Sequence, residues 1–325
     1  MTLFPLGRAP AIAAVGLLLA GCGGSPSSQA TIPEGPSSVR QASQNDKSWM
    51  LPGTSGGDLI YATGGCGGSC VLSYPALKYV GAIPVAGDAI CSDAQGNIFL
   101  PRGGAVTEFA HGGTQPIATL TLPDGGAADG CSVDPMTNNL AVVFKSSGGD
   151  IAVFPNEQGT PSLYRTGLDS TYCGYDDKGD LYVNGYGGGG AYSLGELPLG
   201  SGTFNVYKLD NSVGTPGQVQ WDGQYISYES LDTPAIFRLS VSGSQAKIVS
   251  TVSLRGIKHR LMPSWIYNNN VMIPYNIRGS RQNVVGAWKY PKGGRVIRSI
   301  RKFDSFKKRE IMFAGVTVSV HSYLK

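Results

Sequence analysis

A hairpin turn marked by aspartate or asparagine returns along most of this 325-residue chain, and it constrains the fold more than any other feature. Each copy sits between two short apolar runs. One reads Cys91-Ser92-Asp93-Ala94-Gln95-Gly96-Asn97-Ile98-Phe99. The next is Cys131-Ser132-Val133-Asp134, leading to Asn138-Asn139-Leu140, and a third is Cys173-Gly174-Tyr175-Asp176-Asp177-Lys178-Gly179-Asp180-Leu181-Tyr182. Two diverged copies follow, Val219-Gln220-Trp221-Asp222-Gly223-Gln224-Tyr225-Ile226 and Trp265-Ile266-Tyr267-Asn268-Asn269-Asn270-Val271. The turn residues Asp93, Asp134, Asp176, Asp222 and Asn268 are 41, 42, 46 and 46 residues apart. Gly, Asn and Asp belong at such turns because a tight hairpin needs positive φ at a central position. Self-similarity at this pitch marks supersecondary units that bury their faces only against neighbours.

Each unit continues with two further β-like runs. The third carries an aromatic or large apolar residue, as in Val106-Thr107-Glu108-Phe109 and Ile151-Ala152-Val153-Phe154. A turn rich in Gly, Thr and Pro often comes next, and then a fourth run such as Ile117 to Leu122. Four strands in about 45 residues predict one blade of a β-propeller. Five blades are explicit. A sixth lacks its first strand at the N-terminal end, where Asp58-Leu59-Ile60-Tyr61-Ala62 already reads as a second strand. One pitch beyond Asn268 lies Gly315-Val316-Thr317-Val318-Ser319-Val320, a β-branched run that can supply the missing strand. The expectation is an all-β, six-bladed propeller over residues 51–325, its ring closed by the C-terminal strand so that no sheet edge is left open. Seven blades with one degenerate is the alternative count.

On these repeats the chain resembles six-bladed propellers of the NHL type, especially uncharacterised bacterial secreted and lipoprotein members. The segment Pro216-Gly217-Gln218-Val219-Gln220-Trp221-Asp222-Gly223 is its most distinctive piece. The resemblance covers nearly all of residues 51–325. It implies a fold and is almost silent on activity, since propellers host many unrelated functions.

The N-terminus reads as an address. Arg8 precedes a short apolar run from Ala9 to Ala20, too short to span a bilayer. The run ends Leu19-Ala20-Gly21-Cys22, which resembles a bacterial lipoprotein signal over residues 1–21 with Cys22 as the lipid-bearing new N-terminus. Several acyl chains on one cysteine give a stable membrane anchor. Gly23 follows where an Asp would suggest inner-membrane retention, so the expected location is the cell envelope, at the outer membrane. Residues 22–50 then form a tether. It is rich in Gly, Ser and Pro, and it has too little apolar surface to offset its ordering entropy.

Five cysteines remain, an odd number, so at least one thiol stays unpaired within a monomer. An exported chain meets an oxidising space. Cys66 and Cys70 lie close enough in sequence for a small-ring disulfide. Cys91, Cys131 and Cys173 hold matching places on three successive inner strands. There they serve as small buried core residues, or two of them bridge neighbouring blades.

Charge is divided along the chain. Residues 1–250 carry 11 Lys and Arg against 20 Asp and Glu, whereas residues 251–325 carry 15 against 2. The basic sector includes Arg255, Arg260, Arg295, Arg298, Arg301, Lys302, Lys307, Lys308 and Arg309. It is either a solvated face or a docking surface for lipid headgroups, an anionic envelope polymer or an acidic protein. The envelope location argues against nucleic acid, and a monomer is expected.

Catalytic signals are few. No phosphate-binding loop or His-Glu-x-x-His motif occurs. The histidines, His111, His259 and His321, have no metal-ligand spacing to any cysteine. Asp88, Asp129 and Asp169 do recur just before inner strands, near one mouth of the expected central channel. There they cap turns, or they converge to hold Ca²⁺ through oxygen ligands. Metal-dependent lactonase propellers are similar in plan, but their Glu/Asn/Asp set is not clearly reproduced, so no catalytic residue carries over. The expected function is a lipid-anchored extracytoplasmic binding or scaffold module, with a lactonase-type hydrolase as the alternative.

Overall fold

The repeated aspartate folds each hairpin locally, because its side chain accepts backbone amides of the turn it begins. Asp93 Oδ1 accepts from the Asn97 amide at 2.7 Å, and Asp134 Oδ1 from Met136 at 2.9 Å. Asp176 Oδ1 accepts from Lys178 and Asp180 at 2.8 and 3.0 Å, and Asp222 Oδ1 from Gln224 and Tyr225 at 3.0 and 2.8 Å. The last copy turns instead through Asn268 and Asn269, both left-handed at φ 47° and 58°. Asparagine tolerates that region better than most residues.

The computed structural model describes residues 48–146, 150–257, 260–276, 283–301 and 313–322. Its strands form six antiparallel blades. The first strands of blades 2 to 6 are Cys91–Ser92, Ala128–Val133, Asp169–Tyr175, Pro216–Trp221 and Trp265–Tyr267. Blade 1 takes its first strand, Gly315–Ser319, from the far end of the chain. That strand pairs with Leu59–Thr63 in the register Leu59↔Ser319 to Thr63↔Gly315. These six strands contact one another in succession and the last meets the first, so they line the axis of a closed ring. Ser92 fastens the closure. Its Oγ lies 2.9 Å from Thr317 Oγ1 and donates to the Val318 carbonyl at 2.8 Å. Gly96, in the turn of blade 2, abuts the Val320 carbonyl so closely that no Cβ fits.

The core is divided like the ring. Six apolar clusters occur, one between each pair of neighbouring blades. Both faces of a blade are therefore buried, as Leu59–Thr63 illustrates. Leu59 and Tyr61 pack toward blade 2, and Ile60 and Ala62 toward blade 6. All five residues of that strand are buried. Trp265 on the inner strand of blade 6 packs against the cluster of blades 6 and 1 and also against that of blades 2 and 3. Its indole thus lies across the axis.

Two boundaries differ from the sequence reading. Trp49–Met50, assigned to the tether, pair with Lys78–Ile83 as a fifth, outermost strand of blade 1. Packing explains the gain: Trp49 stands edge-on to Tyr79 at 5.2 Å, and Met50 covers Gly81, where a side chain would collide with its sulfur. Gly294–Arg295 add a short parallel strand to the outer edge of blade 5. Cys66 and Cys70 form a disulfide with Cα atoms 5.2 Å apart. Cys91 and Cys131 form another, 5.7 Å apart, joining the inner strands of blades 2 and 3. Cys173 is a buried thiol. Cys22 with its signal, and residues 23–47 of the tether, lie outside the described residues.

Candidate functional site

One end of the inner strands gathers the acids singled out in the sequence. Asp129 and Asp169 stand at the starts of the inner strands of blades 3 and 4, and a lysine comes between them. Lys145, just past the second strand of blade 3, forms an ion pair with Asp169 and another with Asp129 at 3.7 Å. Its ammonium also donates to the Ser170 carbonyl at 3.1 Å. Asp88 is exposed nearby, and its charge reaches Asp129. Burial pushes the Asp129 carboxyl up, the Lys145 ammonium pulls it down, and Asp169 and Asp88 push it up again. A cation of the protein's own, Lys145, thus stands among these acids. Among the described residues no group of three His, Cys, Asp or Glu side chains suits a metal ion.

Deeper at the same mouth lies a carboxyl that the sequence reading passed over. Glu229, on the second strand of blade 5, is 1% exposed. Its Oε2 accepts from the amides of Ser264 at 2.9 Å and Gln218 at 3.2 Å, while Oε1 is buried and has no hydrogen-bond partner among the described residues. Burial pushes its pKa up to about 8, against the pull of those amides. Tyr172 is raised too, first by burial and then by Glu229 and Asp129, with Arg260 opposing. The available sequence signal was weak: a glutamate in the strand-like run Ile226–Ser230, which also holds two serines.

The opposite, turn-bearing end has a second acidic group and a cleft. Glu108 and Asp93 are each 7% exposed. Burial and then Asp93 raise Glu108. Burial, Asp93 and Glu108 together push Glu157 up to about 8. The cleft, about 320 Å³, opens between the turns of blades 5 and 6. Its floor is an ion pair. Arg238 Nε donates to Asp222 Oδ2 at 2.6 Å, and Tyr290 donates its hydroxyl to the same oxygen at 2.6 Å. Burial alone would raise Asp222, but Arg238, Tyr290 and two turn amides hold it below the usual carboxylate range. The Arg238 guanidinium also stacks over Tyr225, 4.6 Å from the ring centre.

The basic sector occupies the outer edges of blades 5 and 6. The parallel pairing of Gly294–Arg295 sets Arg255 and Arg295 side by side in register. Arg298 begins the outer strand of blade 6, and Arg301 follows that strand. All four are exposed. Among the described residues the ion pairs are those of Lys145 and Arg238, so no carboxylate pairs with these arginines. Lys302, Lys307, Lys308 and Arg309 lie outside the described residues.

No family model matches the chain, and no curated protein matches its sequence. Solved structures do. A protein of unknown function from Bacteroides caccae superposes with a TM-score of 0.61 at 14% identity, covering 81% of this chain and 99% of that one. The β-propeller domain of Cps50 (Swd1) from Myceliophteria thermophila gives 0.52 at 8% identity, covering 79% and 85%. The likeness is one of fold.

Proposed function

We propose that the protein is a lipid-anchored binding module of the bacterial cell envelope, related to NHL-type propellers, which docks its basic rim on an anionic envelope surface. The Leu19-Ala20-Gly21-Cys22 motif supports the anchor, and the blade pitch supports the lineage. The observation that carries the docking is the in-register pairing of Arg255 with Arg295, neither of which forms an ion pair with a carboxylate among the described residues. Like charges set opposite each other on a sheet cost stability. An external polyanion relieves that cost and gains charge-assisted hydrogen bonds from guanidinium groups. A rigid closed ring presents such a rim without reorganising.

Two measurements test this. Cys22→Ser should move the protein from the membrane fraction to the soluble fraction, and continued membrane retention would remove the anchor. The soluble form should bind anionic vesicles or dextran sulfate with an affinity that falls steeply between about 50 and about 300 mM salt. An Arg255→Gln/Arg295→Gln/Arg298→Gln variant that bound equally well would end the docking proposal.

A further inference from the structure

A second opening, about 170 Å³, lies where the seam between blades 3 and 4 reaches the turn-bearing end. Its walls are the edge of one apolar cluster. Val153 and Tyr164 from blade 3 pack there with Tyr175, Leu181 and Leu197 from blade 4. Leu199 closes one side and is 58% exposed. The opening is smaller than the roughly 300–1,000 Å³ of sites that take whole ligands, and it has room for one aliphatic side chain. Apolar walls are poor partners for water, so an apolar group that displaces it is favoured. The rim is acidic. Asp180 accepts the Leu199 amide at 2.8 Å, and Asp177 is exposed in the same turn. A Cβ on Gly179 would stand 3.2 Å from Asp134 Oδ2 and 3.4 Å from Leu199 Cδ1, so that carboxylate also reaches the lip. Lys178 is the one cation of that turn. Three carboxylates thus face one ammonium, which favours an incoming side chain flanked by cations.

The chain carries such a side chain itself. Arg295-Val296-Ile297-Arg298 runs along the outer edges of blades 5 and 6. Val296 packs inward against the cluster between those blades, while Ile297 is turned outward and 47% exposed. The Ile297 amide donates to the Ala287 carbonyl at 2.8 Å, which holds this knob in place. The arginines on either side are both exposed, and neither forms an ion pair with a carboxylate among the described residues. We infer that the opening between blades 3 and 4 is a socket for a second copy of this chain. Ile297 of one copy enters the socket of the next, and Arg295 and Arg298 meet Asp177 and Asp180. Apolar shape and charge are complementary at once, with opposite signs on the two surfaces. Knob and socket lie on different blades, so the contact is head to tail. Such a contact builds a ring or a row and does not stop at a two-fold pair. It goes beyond the envelope docking proposed above, with which it shares the two arginines.

The test is sedimentation velocity on the full chain carrying Cys22→Ser, which has no acyl chains to gather micelles. One side chain and two charge pairs make a small interface, so the series runs up to about 300 µM protein. At about 50 mM salt the mass should rise with concentration, and at about 300 mM salt it should fall back. Leu199→Lys in the socket and Ile297→Ser on the knob both change exposed positions, and each alone should weaken association at least about tenfold. Asp177→Lys, on the same lip, should act like Leu199→Lys and takes its place if that variant misfolds. Mixed one to one, a socket variant and the knob variant should associate as pairs and go no further, because each supplies the half the other lacks. Leu199→Lys should still bind dextran sulfate, so failure of the envelope docking and failure of self-association read separately. The head-to-tail contact is ruled out if the parent stays monomeric throughout the series. It is equally ruled out if a folded socket or knob variant associates like the parent, or if the mixture stays monomeric.

Discussion

At the residue scale, buried titratable groups give the molecule a pH signature. Glu229 keeps its proton in the fold to about pH 8, whereas the unfolded chain releases it near the ordinary glutamate value of 4.5. The folded state therefore binds the extra proton across that window, and stability falls as pH rises through it. Glu157 adds to the same trend. Glu229→Gln keeps an acceptor for both amides and removes the titration. It should flatten the decline and gain on the order of a few kcal/mol over the parent at pH 9, read by urea unfolding at several pH values. Asp222 works in the opposite sense, since its carboxyl is held below the usual range. Its contribution is present above that range and is lost as pH falls. Asp222→Ala strands Arg238 and frees Tyr290 and two turn amides, so a loss of about 3–5 kcal/mol is expected by chemical denaturation. The turn role of Asp222 was legible in the sequence, because its amide partners are two and three residues away. Its partnership with Tyr290, 68 residues on, left no local signal.

At the scale of elements, the disulfide between Cys91 and Cys131 closes a loop of 40 residues. Chain entropy assigns such a bridge about 4 kcal/mol. Cys91→Ser/Cys131→Ser should lower stability by that order, with a matching drop in urea midpoint. Cys173 holds the equivalent place one blade on, and burial pushes its thiol up. Alkylating reagents should therefore modify it only as the protein unfolds. Strand alternation and turn residues located four strands per blade, since both signals lie within ten residues. The extra strand Trp49–Met50 was not legible. Its apolar residues follow a Gly-, Ser- and Pro-rich stretch, and they become a strand only where Tyr79 and Gly81 receive them.

At the scale of the whole molecule, closure is the feature everything else depends on. A chain ending at residue 312 leaves Leu59–Thr63 with an open edge and Ser92 without Thr317 and Val318. It should lose the single cooperative melt and aggregate, as seen by calorimetry and light scattering. Closure was predictable because the repeat pitch points past Asn268 to a β-branched run, and a blade short of one strand has one place to find it. The blade number, the hairpin turns and the uneven charge are likewise properties of residues close in sequence, and each follows from alternation, turn chemistry or counting. The rest belongs to the ring. Neighbouring blades bring together residues about 40 positions apart, and the axis brings together residues farther apart still. That is how Lys145 comes to stand between Asp129 and Asp169, how Arg255 comes to lie beside Arg295, and how the turns of blades 5 and 6 come to share a cleft. Side chains at such separations meet only when the sheets have stacked, so their chemistry is settled by packing between blades and not by any pattern along the chain.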